Sequence, residues 1–330
     1  MYSRLRPLLF RIDPERAHAM TLRVLQLVGA FPPLSSLVRH IYSVPDKKTV
    51  ELFGLRFPNQ IGLAAGYDKD GLAWRGLACL GFGHIEIGTV TPKPQPGNPK
   101  PRLFRLIEDQ ALINRLGFPS RGAEFVAARL QDARPKGLVI GVNLGINKET
   151  PLEQALSDFQ TLAEKFNPMA DYLVINVSSP NTPGLRQLQG AQALDQLLKG
   201  LAAMRRKPLL VKIAPDLTTQ QLDEALGVIV DNHVQGVIAT NTTLWRPDLH
   251  SRLASEAGGL SGAPLGALSR KIIGYIFTHT QGKLPIVAVG GIMSRQDAEA
   301  ALNAGASLVQ IFTGLIFRGP GLVKEILEGE

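Results

Sequence analysis

The chain has 330 residues, of which 45% are hydrophobic, so it can bury a large core as one barrel-sized domain or two smaller ones, and a disordered protein is excluded. Its single cysteine, Cys79, excludes an intramolecular disulfide framework and a cysteine-based metal cluster, and we predict no metal site. The net charge of +8 is unevenly placed, because residues 1–48 hold eight Lys and Arg residues against three acidic ones.

The first 44 residues predict two amphipathic helices. Asp13-Pro14 is typical of a helix N-cap followed by proline, apolar residues then recur at helical spacing until Gly29, and a second apolar run follows Pro32-Pro33. Apolar stripes flanked by arginines favour helices in a membrane interface, and no stretch approaches the ~20 apolar residues of a spanning helix. A helical pair that caps the main domain is the alternative. We expect no nucleic-acid partner, since no zinc-finger or RNA-binding signature is present.

A repeated strand-then-helix pattern follows a small predicted hairpin at residues 50–57. Short apolar runs of this kind suit parallel strands covered by helices. Eight such units predict an α/β fold, a (β/α)8 TIM barrel over residues 45–330 with an N-terminal amphipathic helical extension over residues 1–44. The predicted strands are residues 60–63, 84–87, 138–142, 172–175, 209–211, 237–239, 286–289 and 308–311.

Three intervening helices carry start signals or an apolar stripe. Thr150 and Glu153 have the spacing of a capping box, and Ser294 precedes a similar but weaker start. Apolar residues at positions 222, 225, 226, 229 and 230 predict an inward-facing helical stripe.

Polar residues or glycines stand at the predicted carboxyl end of every strand, which is where barrels build their active sites. The fourth end is a cluster of hydroxyls and amides between Asn176 and Asn181, for which an ordinary strand-to-helix turn is the alternative. In order, the ends carry Lys69, Thr89, Asn143, residues 176–181, Lys212, Thr240-Asn241, Gly290-Gly291 and Thr313-Gly314.

Two of these ends predict a phosphorylated ligand. Gly290-Gly291 and Thr313-Gly314 follow the seventh and eighth strands, where barrels commonly bind phosphate with backbone N–H groups. Neither a G-x-G-x-x-G fingerprint nor a Walker A loop is present, which disfavours a Rossmann dinucleotide site and an NTPase. Lys212 could form a Schiff base or hold positive charge against an electron-rich cofactor, and the residues alone leave both open.

The connection after the second strand is long, running from Thr89 to Ser120. Its second half predicts a hairpin of residues 102–106 and 111–114, which would deliver Asn114 over the barrel mouth. Loops of this length are often functional, although a rigid proline-rich ornament is the alternative.

Eight motifs together resemble dihydroorotate dehydrogenase nearly from end to end, and the basic N-terminal region resembles its membrane-associated, quinone-reducing class. The soluble class carries a cysteine as base, and here the matching position is Ser179. The motifs are Gly66-Tyr67-Asp68-Lys69-Asp70-Gly71, Glu86-Ile87-Gly88-Thr89-Val90-Thr91, Ile113-Asn114-Arg115-Leu116-Gly117-Phe118, residues 176–184, residues 212–217, Ala239-Thr240-Asn241-Thr242-Thr243, Gly258-Gly259-Leu260-Ser261-Gly262 and Val289-Gly290-Gly291-Ile292.

The resemblance implies FMN in the barrel, oxidation of dihydroorotate to orotate in pyrimidine biosynthesis, and reoxidation of the flavin by a quinone. Ser179 would remove the C5 proton as the C6 hydride passes to flavin N5, with water or Thr182 relaying the proton, and Lys212 would face the flavin N1/O2 edge. The implied substrate residues are Lys69, Asn114, Arg115, Leu116, Gly117, Phe118, Asn176, Asn181, Asn241 and Thr242. The implied flavin residues are Ala64, Ala65, Gly66, Lys69, Thr89, Asn143, Asn176, Lys212, Thr240, Gly262, Gly290, Gly291, Phe312 and Thr313.

For the quinone, the resemblance implies a tunnel between the N-terminal helices and the flavin, contacted by His18, Arg102 and Phe312. Phe312 departs from the family pattern, because a tyrosine is usual there and phenylalanine keeps the ring without the hydroxyl. We expect a peripheral, monotopic membrane protein that is a monomer. The lack of a transit segment favours the cytoplasmic face of a bacterial inner membrane.

Two other classes of function compete with this interpretation. The first is a lysine-dependent aldolase on a phosphate-binding barrel, with Lys212 as the Schiff base. The second is a membrane-surface binding module that uses residues 1–44 and leaves the barrel inert.

Overall fold

In a computed structural model, residues 2–44, 48–131, 134–135 and 137–328 are described. The predicted boundary between residues 1–44 and 45–330 lies outside the described residues, since residues 45–47 are not among them. The described strands are β1 (Val50–Leu52), β2 (Leu55–Phe57), β3 (Ile61–Leu63), β4 (His84–Val90), β5 (Leu103–Leu106), β6 (Ala111–Asn114), β7 (Val139–Leu144), β8 (Tyr172–Asn176), β9 (Leu209–Ile213), β10 (Gly236–Ala239), β11 (Gly259–Gly262), β12 (Ile286–Val289) and β13 (Leu308–Ile311).

Helices alternate with most of these strands. They are α1 (Tyr2–Leu9), α2 (Pro14–Ala30), α3 (Pro32–Tyr42), α4 (Trp74–Ala78), α5 (Ala123–Leu130), α6 (Ala155–Phe166), α7 (Ala191–Leu201), α8 (Thr219–Asp231), α9 (Gly266–His279), α10 (Arg295–Asn303), α11 (Thr313–Arg318) and α12 (Leu322–Glu328).

Eight parallel strands close into the predicted barrel. The chain visits β3, β4, β7, β8, β9, β10, β12 and β13 in order, and β13 pairs with β3 to complete the closure. Several strands extend beyond the predicted ends, so that Thr89, Asn143, Asn176 and Lys212 are strand residues and do not follow the strands. These polar side chains are tolerated inside the barrel because their neighbours there offer hydrogen bonds or opposite charge.

A hydrophobic plug closes the amino-terminal end of the barrel. The predicted hairpin is present as β1 and β2, and Phe57 at its end is fully buried. The Phe57 ring meets the His84 ring edge to face at 5.4 Å between centroids. Because this end is filled by apolar side chains, the polar chemistry of the barrel is confined to the opposite end.

A small antiparallel sheet stands on the long connection after β4. The predicted hairpin is confirmed as β5 and β6, and β11 joins its other edge, with Asn114 opposite Gly259. Strand β11 was not predicted, because its four residues include two glycines and one serine, which are typical of turns more than of strands.

We call residues 2–44, with helices α1 to α3, the N-terminal arm. Asp13 caps α2 as predicted, accepting a hydrogen bond from the backbone N–H of Arg16 at 2.9 Å. Gly29 was predicted to end this helix, but the helix runs to Ala30. The absence of a side chain at Gly29 allows close contact with α4, because a Cβ at this position would lie 2.7 Å from the Arg75 Cβ. Helix α1 was not predicted, and it docks through the Tyr2 hydroxyl, which donates to the Ile316 carbonyl at 2.6 Å.

Two helix predictions are corrected and one is confirmed. The Thr150 hydroxyl donates to Asp158 and caps no helix, since α6 begins only at Ala155. The capping box lies instead at α8, between Thr218 and Gln221. Ser294 caps α10 as predicted. In the predicted stripe of α8, residues 222, 225, 226 and 229 are buried, but residue 230 is exposed.

Candidate functional site

One cavity of 480 Å³ joins the carboxyl ends of the barrel strands to the N-terminal arm. Its barrel end is lined by strand-end residues such as Ser179, Lys212 and Gly291. We call the part lined by the arm its arm end, and this part is formed mostly by apolar side chains. The arm residues of the wall are Tyr2, Leu9, Phe10, Pro14, Ala17, His18, Thr21, Val24, Leu25, Val28, Val38 and Tyr42.

Four asparagines from separate segments meet at the barrel end. The Asn181 amide donates to Asn114 at 3.2 Å, and the Asn241 amide donates to Asn176 at 3.4 Å. All four side chains line the cavity. Because each carboxamide both donates and accepts, the group suits a planar ligand that carries amides.

The adjacent serines Ser178 and Ser179 have different surroundings. Ser178 is inside the amide network, where its hydroxyl donates to Asn176 at 3.2 Å and accepts from Asn241 at 2.9 Å. Ser179 lines the cavity, and within the described part of the chain its hydroxyl oxygen accepts only the backbone N–H of Asn181, at 3.2 Å. Thr182, the predicted proton relay, is buried behind the wall and makes no side-chain hydrogen bond to Ser179.

Two lysines, the partly buried Lys69 and the buried Lys212, place positive charge in the barrel end. Burial lowers the pKa of Lys69 to about 8, and its ammonium donates to the Gly66 carbonyl. Burial also lowers the pKa of Lys212, while the nearby Glu86 opposes that shift. Lys212 makes no hydrogen bond to the described residues, so its ammonium is available to a ligand.

A buried polar network that was not predicted supports this end of the cavity. Glu86 is fully buried on β4 and accepts from Asn143 at 2.8 Å and from Gln310 at 2.7 Å. Asn143 was predicted to contact the flavin, but it does not line the cavity. Its side-chain oxygen accepts from Thr89 at 2.6 Å and from Asn176 at 3.0 Å, and these two residues do line the cavity. The sequence did contain one indication of this network, because Glu86 is a charged residue within the otherwise apolar run of β4, where a buried charge needs partners.

The predicted phosphate-binding residues lie together on the cavity wall. Gly290, Gly291, Thr313 and Gly314 all contribute to it, as does Gly262, which was predicted to contact the flavin. Gly291 has φ of +75°, and a Cβ there would lie 2.1 Å from the Gly266 Cα, so only glycine fits. Thr240 also lines the cavity, and its hydroxyl is buried without a hydrogen-bond partner among the described residues.

The substrate residues predicted on the long connection divide into two groups. Three of them line the cavity: Leu116, Gly117 and Phe118. Thr242, a predicted substrate residue in the loop after β10, lines it as well. Arg115 does not, because its guanidinium pairs with Glu256 at 2.7 Å and stacks over the Phe104 ring at 4.5 Å.

The three residues predicted to contact a quinone differ in what they can offer. His18 lines the arm end, and burial lowers its pKa to about 4, so its ring is neutral at pH 7. Arg102 is away from the cavity, paired with Glu15 at 2.7 Å, because the arm brings this carboxylate to it. Phe312 lines the cavity beside Tyr67, with 6.0 Å between ring centroids.

The arm turns a broad apolar face outward. Eight of its large apolar side chains are exposed, among them Val24 at 59% and Leu27 at 65%. No single described helix is both long and apolar enough to cross a membrane; only α2 and α3 taken together would be, and they are bent by 107°. The exposed apolar residues of the arm are Leu5, Leu8, Met20, Val24, Leu27, Phe31, Leu37 and Ile41.

Within the part of the chain that the structure describes, no group of three or more His, Cys, Asp or Glu side chains is placed to hold a metal ion. The charged and titratable side chains on the described cavity wall, apart from its tyrosines, are Lys69, Lys212, His18 and Arg105, and the Glu86 carboxylate is buried near Lys212.

Comparison with known proteins identifies close relatives. The sequence model of the family described as dihydroorotate dehydrogenase matches residues 48–329. The chain is 48% identical over 335 residues to a protein of Roseiflexus sp. and 52% identical over 340 residues to one of Acidithiobacillus ferrooxidans, both named dihydroorotate dehydrogenase (quinone). These matches cover 100% and 99% of the chain and 93% of each relative. A crystal structure of DHODH from Eimeria tenella in complex with ferulenol is similar, with a TM-score of 0.88, 38% identity, and coverage of 96% of this chain and 90% of that one.

Proposed function

The chain belongs to the dihydroorotate dehydrogenase family, and from this we propose that it oxidises dihydroorotate to orotate and passes the electrons to a membrane quinone through FMN. The observation that carries the proposal is the single cavity that runs from Ser179 in the barrel to His18 in the arm. A redox enzyme with two different substrates needs such an arrangement, because each substrate must reach the same cofactor. This reaction belongs to pyrimidine biosynthesis.

The barrel end fits FMN. Gly290, Gly291 and Gly262 would hold the phosphate through backbone N–H groups, and the unpartnered Thr240 hydroxyl would find its partner on the flavin. The remaining contacts would come from Thr89, Asn176, Phe312, Thr313 and residues 64–66. When bound, FMN supplies the hydride acceptor and the site of electron transfer to the quinone.

Lys212 would place its ammonium beside the flavin edge that becomes electron-rich on reduction. Its partial charge balance comes from Glu86, which is buried nearby and raises the lysine pKa against the effect of burial. A cation kept in a dry pocket by one carboxylate stabilises added negative charge more strongly than it would in water. Asn143 would act from behind the wall, orienting Thr89 and Asn176.

Ser179 would remove the C5 proton of dihydroorotate. Its hydroxyl is on the cavity wall beside Asn114, Asn176, Asn181 and Asn241, whose carboxamides would bind the ring amides. Lys69 would neutralise the carboxylate of the substrate. Because a free serine is a weak base, its proton must move on, through water or through Thr182 by way of water.

We further propose that the protein is a monomer bound to the membrane surface, on the cytoplasmic face of a bacterial inner membrane. The exposed apolar face of the arm supports this, since burying such side chains in the bilayer interface is favourable. Arg4, Arg11, Arg16, Arg23 and Arg39 of the arm would meet anionic headgroups.

The test is a visible spectrum of the purified protein under anaerobic conditions. We expect a flavin spectrum that bleaches on addition of dihydroorotate and returns on addition of decylubiquinone. A colourless protein that does not take up FMN would contradict the proposal. Trapping of a Lys212 adduct with borohydride would favour an aldolase instead.

A further inference from the structure

Tyr67 lies where the two ends of the cavity meet. Its ring is 5.0 Å from the His18 ring of the arm and 6.0 Å from the Phe312 ring of the barrel, both edge to face. The residue lines the cavity and is only 5% exposed. Tyr67 therefore contacts both an arm residue and a barrel residue of the cavity wall.

The Tyr67 hydroxyl makes no hydrogen bond to any of the described residues. The hydroxyl oxygen is not sealed from solvent, so it retains access to the cavity. A buried hydroxyl normally has a partner, because leaving it without one costs about 1–3 kcal/mol. Because the Tyr67 hydroxyl faces the cavity without a partner among the described residues, it is free to donate to a molecule that occupies the cavity.

The three residues predicted to contact a quinone have little to donate. The His18 Nε2 lies 2.7 Å from the Tyr67 carbonyl, which only accepts, so the ring nitrogen donates there and the neutral ring has no second N–H. Phe312 has no polar atom. Arg102 uses four of its five N–H groups on Glu15 and on the carbonyls of Pro96 and Asn98.

Three arm residues that line the cavity also carry hydroxyls, and two of these hydroxyls are occupied. The Tyr2 hydroxyl donates to the Ile316 carbonyl at 2.6 Å, and the Thr21 hydroxyl donates to the Ala17 carbonyl at 2.9 Å. Tyr42, at the end of α3, has a hydroxyl without a partner among the described residues, but it is only partly buried and lies in the arm end.

We propose that the Tyr67 hydroxyl donates the hydrogen bond that holds a quinone carbonyl at the junction of the two ends of the cavity. The proposal rests on the proposed function and adds a quinone-binding residue to it. Burial raises the pKa of Tyr67, so the phenol remains protonated and acts as a donor that positions the quinone. The rings of His18 and Phe312 on either side would fit the flat quinone head.

The test is Tyr67→Phe in the full-length, FMN-loaded protein, with decylubiquinone as the probe. Loss of one hydrogen bond is expected to raise the KM for decylubiquinone about 10-fold and to weaken its binding in equilibrium dialysis equally. The rate of flavin reduction by dihydroorotate, measured anaerobically by stopped flow, reports the other half of the reaction and would separate a local effect from a general one.

Two further variants make the test specific. Tyr275→Phe removes a hydroxyl that donates to Asp223 at 2.6 Å on the outer surface of the barrel, and it should behave as the wild type. Tyr67→Phe/Phe312→Tyr moves the hydroxyl to the neighbouring ring and should recover most of the quinone affinity.

An unchanged KM and unchanged quinone binding in Tyr67→Phe would overturn the inference. The same holds if flavin reduction and quinone use fall together, or if Tyr42→Phe loses quinone affinity while Tyr67→Phe does not. Failure of the proposed function is distinguishable from these results, because the wild-type flavin would then not be reduced by dihydroorotate at all.

Discussion

The barrel end of the cavity and the N-terminal arm differ in which groups they bury: the barrel end buries polar side chains, and the arm leaves apolar side chains exposed. In the barrel, buried polar groups bind one another: Glu86 holds Asn143 and Gln310, and Asn143 holds Thr89 and Asn176. In the arm, eight large apolar side chains are exposed, against five in all the other described residues. Most of the buried polar groups of this network therefore find partners within the barrel, whereas the arm exposes an apolar surface that an apolar environment would cover.

This difference divides the proposed reaction between the two regions. Chemistry on a polar, ring-shaped substrate needs fixed hydrogen-bonding groups, which a closed barrel can hold in place. Capture of a quinone from a membrane needs an apolar surface and an apolar channel, which the arm provides. The cavity between them is where the two requirements meet.

The largest expected effect is on the barrel side, with Ser179→Ala. The variant should retain FMN, but flavin reduction by dihydroorotate should slow by about 10² to 10⁴, because a general base contributes that much. Anaerobic stopped-flow spectroscopy measures the rate. Ser178→Ala is the matched control, since that hydroxyl serves only the amide network, and its loss should be much smaller. Near-normal reduction in Ser179→Ala would refute the role of base.

A smaller effect is expected on the arm side, with Leu27→Glu. Leu27 is 65% exposed, and removing its burial in a bilayer should cost about 2 kcal/mol, or about 30-fold in binding to liposomes. Cosedimentation with anionic vesicles measures the change. Val230→Glu is the control, because Val230 is also exposed on a helix, at 48%, but on the barrel. Equal losses in both variants would remove the distinction between arm and barrel.

The smallest effect concerns acid stability at the closed end of the barrel, where His84 breaks the pattern of satisfied polar groups. Neither of its ring nitrogens has a hydrogen-bond partner among the residues that the structure describes, and burial lowers its pKa to about 3 from an ordinary value of 6.5. Between pH 6.5 and about pH 3, His84 is protonated in the unfolded chain but neutral in the folded chain. The free energy of unfolding therefore falls as the pH falls below 6.5.

Over the step from pH 7 to 5.5, this group should lower the free energy of unfolding by about 1.3 kcal/mol. Comparison of wild type with His84→Leu by urea denaturation at both pH values isolates the contribution, since other groups are common to both proteins. If the difference in stability between the two proteins is the same at both pH values, His84 is not the source.

The barrel site was readable from sequence to the extent that it depends on position along a strand. Lys212, Asn176 and Gly291 were found because carboxyl ends of parallel strands share one edge of the barrel. Glu86 was missed because it lies within a strand that reads as apolar, and its partners come from strands far away in the chain. Helix α1 and β11 were missed because their local patterns are weak and tertiary contacts stabilise them.

Residue types and their order determined the barrel, its polar strand ends and the amphipathic character of the arm, since these follow from local periodicity and parallel-strand geometry. Only the tertiary structure decided which side chains meet. Closure of the barrel and docking of the arm committed Arg102 to Glu15, placed Asn143 behind the wall, and set Tyr67 between His18 and Phe312. These contacts join residues 49 to 245 positions apart, and their partners are selected by three-dimensional packing, which no local pattern in the chain records.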